Sequence, residues 1–433
     1  MKLFSKALVS FCYHKARVYS HQEVVEMYRG PKYRIYQKAF ETFLNEGCRD
    51  VHSLLNTFIK FEKTNLDKAP RIINPRHPVY NLCVARYLKK LEKIAYKAIN
   101  RVFGERTSHT VIKGLNIVDS ANVIKSKWDL FTEPVGIGGD ITKLDMHIDV
   151  PHLEYEHSIY NRIFRSRSLK QKLKKQLRNR GTAYFADGKV KFEMKGKRSS
   201  GDINTSLGNV IIVCSVLYDF KQSYGLNMEL INNGDDFVII CERSDLSVVV
   251  DNLPSHFKMF GFRLTTEKPV FELDELEFCQ TKPVFDGKFW RMCRIPQTLF
   301  QKDTICTVPI QNSKVLRKWY NAVGKCGLAL TRGLPVLQSF YKAYLRSGLE
   351  SSDKFVHHIY KNTGMSERLS DLNTFSDDIT EEARVSFATA FKILPDMQRD
   401  LERYFDSLVL SDEITTITGN IRDSNLIHNE IQL

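Results

Sequence analysis

Three carboxylates, Asp140, Asp235 and Asp236, stand where metal chemistry could be done. Gly234-Asp235-Asp236 separates two apolar runs, Met228 to Ile231 and Phe237 to Cys241, a pattern that predicts a hairpin with the aspartates at its tip. Glycine relieves the turn, and the flanking strands hold the acids rigidly. Such a pair suits nucleotidyl transfer, which uses two cations roughly 4 Å apart to activate an attacking 3′-hydroxyl and neutralise a triphosphate. Hard Mg²⁺ is bound through one or two carboxylates plus substrate phosphates and water, so few aspartates suffice. Alone the triplet means little, since ordinary Gly and Asp usage would produce it in roughly one chain of this length in ten. The stretch Asp140-Ile-Thr-Lys-Leu-Asp145, after a strand at Val135 to Ile137, adds a third carboxylate beside the tip. Repulsion of order 1 to 4 kcal/mol per pair argues against a purely structural cluster and for a cation.

Other residues have the chemistry to grip a nucleotide. Asp145 lies past the strand end, where it could accept a hydrogen bond from a ribose 2′-hydroxyl. Ser200, Thr205 and Asn209, on a Ser-Gly loop and the first turns of the next helix, could complete that contact or cap the helix. Lys68, Arg71 and Arg76 share a segment with three prolines within eleven residues, 68–78, which excludes a helix and predicts a stiff basic arm. Cations held at fixed spacing suit a triphosphate; a solvated basic loop is the other reading.

These residues need elements to position them. The first third has helical apolar spacing, as in Val24, Met27, Tyr36, Ala39 and Phe43, and again in Tyr87, Leu88, Leu91, Ile94 and Ala98. From Pro134 the texture turns to short strands, including Val190, Phe192 and Met194 alternating with charges. Between them, Arg165 to Arg180 carries no acid, which fits a solvated or a phosphate-facing helix. Leu207 to Phe220 predicts a buried helix. Helices return at Val315 to Val323, Val336 to Tyr344 and Ile379 to Leu394, and a polar tail is expected beyond Ser411.

With 433 residues, 42% of them apolar, the chain can build two or three packed subdomains. A net charge of +14 favours a polyanionic partner. The nine cysteines are scattered without a C-x-x-C pair and read as reduced thiols. His147, His152 and His157 do not share a helix face, so a metal site there is not expected. No apolar run approaches the ~20 residues needed to cross a bilayer. The basic opening, Met1 to Ser20, reads as an ordinary helix, because Lys6 interrupts any signal-peptide core.

The order of these motifs resembles the RNA-dependent RNA polymerases of positive-strand RNA viruses, the tombusvirus group and more distantly the hepaciviruses. The arm and following helix, from Ala69 to Ile99, look like motif F; GGDITKLDMHI looks like motif A, SSGDINTSLGN like motif B and NNGDDFVII like motif C. The stretch from Phe260 to Val284 is similar to motifs D and E. Ser199 departs from the methionine usual in the tombusvirus pattern, as does the filling of Ile141 to Leu144, which marks a divergent relative.

The resemblance implies an α+β right hand with an antiparallel palm sheet flanked by helices and a closed fingers–thumb ring. Fingers are expected over 1–131, with the basic nucleotide arm at 60–86, palm over 132–164 and 196–298, a fingers insertion at 165–195, and thumb and tail over 299–433. It further implies two Mg²⁺ or Mn²⁺ ions on Asp140, Asp235 and Asp236. Asp145, Ser200, Thr205 and Asn209 become sugar selectors, and Lys68, Arg71 and Arg76 triphosphate contacts. Lys268 becomes the general acid for pyrophosphate, with Lys258 and Arg263 close in sequence as alternatives. Single-stranded RNA template, nascent RNA and NTPs are the implied partners, together with other replicase proteins. The implied location is the host cytoplasm, at membrane-associated replication complexes; lacking the long anchoring region common in related replicases, the chain would depend on a partner or its basic N-terminus for attachment. A reverse transcriptase shares the paired aspartates, but it would carry a bulky aromatic near Asp145; the acid there, with Asn209, favours ribonucleotides. A non-enzymatic RNA-binding protein would bind RNA without copying it.

Overall fold

The computed structural model describes residues 1–63, 69–185, 187–306, 309–359, 374–411 and 427–428. The chain divides into two compact units. The first comprises Met1–Phe61, Leu66–Gly114 and Val123–Phe271; the second comprises Glu62–Asn65, Leu115–Asn122 and Glu272–Leu433.

Eight strands belong to the first unit: β1 (Leu55–Ile59), β2 (Ile72–Ile73), β3 (Pro134–Ile141), β4 (Arg178–Phe185), β5 (Gly188–Lys195), β6 (Met228–Asn232), β7 (Asp236–Glu242) and β8 (Leu264–Thr266). They form two sheets, ordered β6-β7-β3-β8 and β2-β1-β4-β5. The first is antiparallel throughout and is the sheet expected of a palm. Every residue of β6 is buried, as are five consecutive residues of β7. The apolar run after the Ser-Gly loop is the helix Thr205–Ser223, buried from Leu207 to Phe220 except at Asn209, Tyr218 and Asp219. Along β3 a single position, Asp140, is exposed.

The helix Pro78–Val102 starts on proline, whose missing N–H costs nothing in the first turn. It packs against the basic opening helix Lys2–Tyr13, which buries Phe4, Leu8 and Cys12. The acid-free run 165–180 is only partly helical: Ser166 caps the helix Arg167–Lys174 by accepting from the Leu169 N–H at 3.3 Å, and the chain then extends into β4.

The second unit holds the hairpin of β9 (Thr281–Phe285) and β10 (Trp290–Arg294), so the boundary at residue 271 falls within the stretch 196–298 expected as palm. Its helices Ser313–Thr331, Leu337–Ser347, Glu381–Phe391 and Pro395–Ser407 contribute to a core containing Trp319, Tyr320, Phe340, Tyr344, Phe387 and Phe405. The helix expected over Ile379 to Leu394 is Glu381–Phe391, ending where Lys392 turns left-handed, and a separate helix starts at Pro395. Of the tail beyond Ser411, Ile427–His428 pairs antiparallel with Ile305–Cys306; the rest lies outside the described residues. None of the nine cysteines is joined in a disulfide. Among the described residues no helix is long and apolar enough to cross a membrane.

Candidate nucleotidyl-transfer site

A buried side chain braces the β6–β7 hairpin. Asn232, fully buried, donates from Nδ2 to the Gly234 carbonyl at 2.9 Å and accepts the Gly234 N–H at 3.0 Å. Its own backbone pairs with Thr110 and Ile112, at 2.9 and 3.1 Å, so a further segment covers that edge. Gly234 sits at φ +103°, where a side chain would be strained. Asp235 is therefore presented outward at a rigid tip, with Lys113 donating to the neighbouring Asn233 carbonyl at 3.2 Å.

In the antiparallel register Asp140 lies directly opposite Asp236. Residues opposite one another across such a pair have Cα atoms roughly 4.5 to 5.5 Å apart and side chains on one face. Burial pushes the Asp140 carboxyl above the usual carboxylate range, and the Asp235 charge pushes it further. Among the described residues no group of three His, Cys, Asp or Glu side chains is arranged to hold a metal ion by itself. An all-oxygen set in which the Asp235 charge raises the Asp140 carboxyl nevertheless has the donor chemistry of a hard divalent ion's site, one that takes its remaining ligands from phosphates and water.

Asp145 stands in the one-turn helix Leu144–His147 just beyond β3. Its Oδ1 accepts from Asn209 Nδ2 at 2.9 Å, and Asn209 Oδ1 accepts from Arg198 Nε at 3.0 Å. Arg198 forms an ion pair with Glu156, both side chains fully buried. Glu156 Oε1 accepts from Asn204 at 2.7 Å, and Asn204 accepts from Gln176 at 2.9 Å. The Arg198 backbone N–H also donates to the Asp145 carbonyl at 2.9 Å. Burial pushes the Asp145 carboxyl up, against the Asn209 hydrogen bond and the Arg198 charge; Asp235 raises it and Arg71 lowers it, which places both charges within electrostatic reach.

A family model described as viral RNA-dependent RNA polymerase matches residues 1–413. The chain belongs to that family. It is 39% identical over 408 residues to the RNA-directed RNA polymerase of Tobacco necrosis virus (strain A), covering 93% of this chain and 56% of the relative. To that of Maize chlorotic mottle virus it is 38% identical over 417 residues, 94% of this chain and 42% of the relative. To that of Turnip crinkle virus it is 38% identical over 390 residues, 88% of this chain and 50% of the relative. The chain spans about half the length of the curated relatives it matches.

Within this polymerase-family chain the expected site residues fall into groups. Asp140 lies opposite Asp236 at the ends of the two central strands, Asp235 precedes Asp236 at the exposed hairpin tip, and Asp145 and Asn209 are hydrogen-bonded. Thr205 donates to the Ser199 carbonyl at 2.7 Å, and Ser200 accepts from the Asn74 N–H at 3.2 Å, so both hydroxyls brace the loop. Neither caps the helix: its N-cap is Asn204, which makes no side-chain cap bond. Arg71 is exposed; Lys268 is exposed two residues past β8; Lys68 lies outside the described residues.

Arg76 corrects the expectation of a triphosphate grip. Its side chain is buried, paired with Asp202 and donating to the Ser53 carbonyl and to Asn179. A guanidinium with these partners welds the arm to the Ser-Gly loop and has no face left for a phosphate. At the same junction Pro75 bridges Gly201, where a Cβ would lie 2.3 Å from the Pro75 Cα.

Sequence reasoning missed Asn232, Arg198 and Glu156. Glu156 carried a signal, an acid on the stripe Leu153, Glu156, Tyr160, Ile163 whose other members are apolar and buried.

Proposed function

We propose that the chain carries out template-directed RNA synthesis, joining NTPs to a growing RNA 3′ end for viral genome replication and transcription, with primer-independent initiation. The observation that carries this is the register of Asp140 against Asp236, with Asp235 adjacent and Asp145 tied to Asn209. Asp140, Asp235 and Asp236 would hold two Mg²⁺ or Mn²⁺ ions, which when bound neutralise the triphosphate and acidify the attacking hydroxyl. Asp145, oriented by Asn209, accepts from the ribose 2′-hydroxyl, and Ser200 has a proton to donate at the sugar. Arg71 steers the triphosphate electrostatically. Lys268 protonates the departing pyrophosphate.

The same reading assigns fingers to 1–131 and 165–195, palm to 132–164 and 196–298, and thumb and tail to 299–433, closing as a ring. Support comes from the antiparallel sheet, whose four strands all lie within the palm ranges. RNA template, nascent RNA and NTPs are the partners. Other replicase proteins would hold the chain at membranes in the host cytoplasm.

The test is synthesis by the purified chain from single-stranded RNA, four NTPs and Mg²⁺ or Mn²⁺, with and without primer. Labelled RNA should appear without primer and vanish with chelator. RNA binding without product would support a non-enzymatic role, and product from dNTPs alone would support a reverse transcriptase.

Sugar choice has its own test. Asn209→Ala removes a hydrogen bond to a charged group, of order 1.5–3 kcal/mol, so the ATP-to-dATP ratio of kcat/KM should fall about 10- to 100-fold. An unchanged ratio rejects this role.

A further inference from the structure

The sheet β2-β1-β4-β5 has one face buried at its base but open towards its tip, where Ile59, Phe185 and Val190 are half exposed, and a second face open along its length. Leu55, Thr57, Asn179 and Ala183 are buried on the first. On the second, Asn56 pairs with Thr182, and strand alternation puts Phe58 and Tyr184 beside them on the same side. Phe58 is 51% exposed and Tyr184 64%. The register adds cations to this face: Tyr184 opposes Lys189, Thr182 opposes Lys191, Arg180 opposes Glu193 and Arg178 opposes Lys195. Five cations surround one acid, Glu193, which bridges Arg178 at 2.5 Å and Arg180 at 2.8 Å.

Lysines on an edge strand have an ordinary use, since they deter pairing with another chain. That explains Lys189, Lys191 and Lys195 on β5, which is an edge. Cross-strand pairing with Glu193 accommodates Arg178 and Arg180 on the interior strand β4, but neither it nor the edge explains the like-charged pair Arg178 and Lys195 directly opposite one another, or two aromatic rings left in water. Aromatic rings beside cations on an open sheet are what single-stranded nucleic acid recognises: bases stack on the rings while phosphates meet the cations. A duplex keeps its bases stacked internally and gains only the charge term.

We propose that the open face of β1, β4 and β5 is a binding platform for single-stranded RNA, with Phe58 and Tyr184 stacking bases and the β4 and β5 cations holding the backbone. The identity of the nucleic acid rests on the polymerase reading; the face itself does not.

The test measures binding of a fluorescein-labelled, unstructured 20-nucleotide RNA to the whole chain by anisotropy across a salt series. Tyr184→Ala should weaken binding about tenfold, and Tyr184→Phe should restore it. Lys189→Gln with Lys191→Gln should weaken binding and flatten the salt dependence by about 1.4 in logarithmic slope. The affinity of a blunt RNA duplex should not change with Tyr184→Ala. In the synthesis assay these variants should raise the template KM about tenfold and leave turnover at saturating template intact. Wild-type affinity in Tyr184→Ala, or equal losses for duplex and single strand, overturns the platform. A chain that makes no RNA but shows the Tyr184 dependence keeps the platform and refutes the polymerase reading instead.

Discussion

Asp235→Ala should lower RNA synthesis by about 10³-fold or more while RNA affinity stays within about twofold, the loss expected when charge stabilisation at the reacting phosphate is removed. Asp235 is exposed at the hairpin tip and supports no core contact, so a folding defect would not account for the loss. Its charge helps push the Asp140 carboxyl up, which marks repulsion in the cation-free cluster. In chelator the variant should therefore melt no lower than wild type. Residual synthesis above about a tenth of wild type would sink the assignment. A large drop in melting temperature would recast Asp235 as structural.

The second large effect is expected at Arg198. Arg198→Met leaves the fully buried Glu156 without its cation, and breaking such a pair costs about 3–5 kcal/mol. Burial pushes the Glu156 carboxyl up, but the Arg198 charge, with the hydrogen bonds from Arg198 and Asn204, carries it below the ordinary range. In wild type the depressed value contributes stability above the ordinary carboxylate pKa near about 4.3, lost as pH falls through the folded value. In the variant burial is opposed only by the Asn204 hydrogen bond and the His157 charge, so the stability that charged Glu156 brings as pH rises is reduced. The gap in urea midpoint should thus be wide at pH 7 and narrow towards pH 5. An equal gap at both pH values would refute the charge argument. Because Arg198 also orients Asn209, the surviving folded variant should discriminate less between ATP and dATP.

What the sequence disclosed and what it concealed divide along one physical line. The hairpin was legible because its information is local: two apolar runs, a glycine and two turn-forming acids within the fourteen residues 228–241. Asp140 was legible as an acid just past a short strand, although β3 runs on to Ile141 and includes it, and Asp145 was legible as the acid beyond. Arg76 was misread because its partner, Asp202, lies 126 residues away, and no local pattern distinguishes a guanidinium that reaches solvent from one that finds a buried acid. Ser200 and Thr205 sit where expected, yet their present bonds run to Asn74 and Ser199. Arg198 looked like one more cation in a basic chain, and only Glu156 inside an otherwise apolar stripe hinted at a buried charge.

The contact of Pro75 with Gly201 bears on how such a chain can diversify. Even one methyl group at position 201 would collide with the Pro75 backbone, and beside it Arg76 and Asp202 are locked by charge. Change on either side is penalised unless the other side changes with it. Residues 74–76 and 199–202 should therefore drift as a single heritable unit, and grafting either segment alone from a relative should fail where grafting both succeeds.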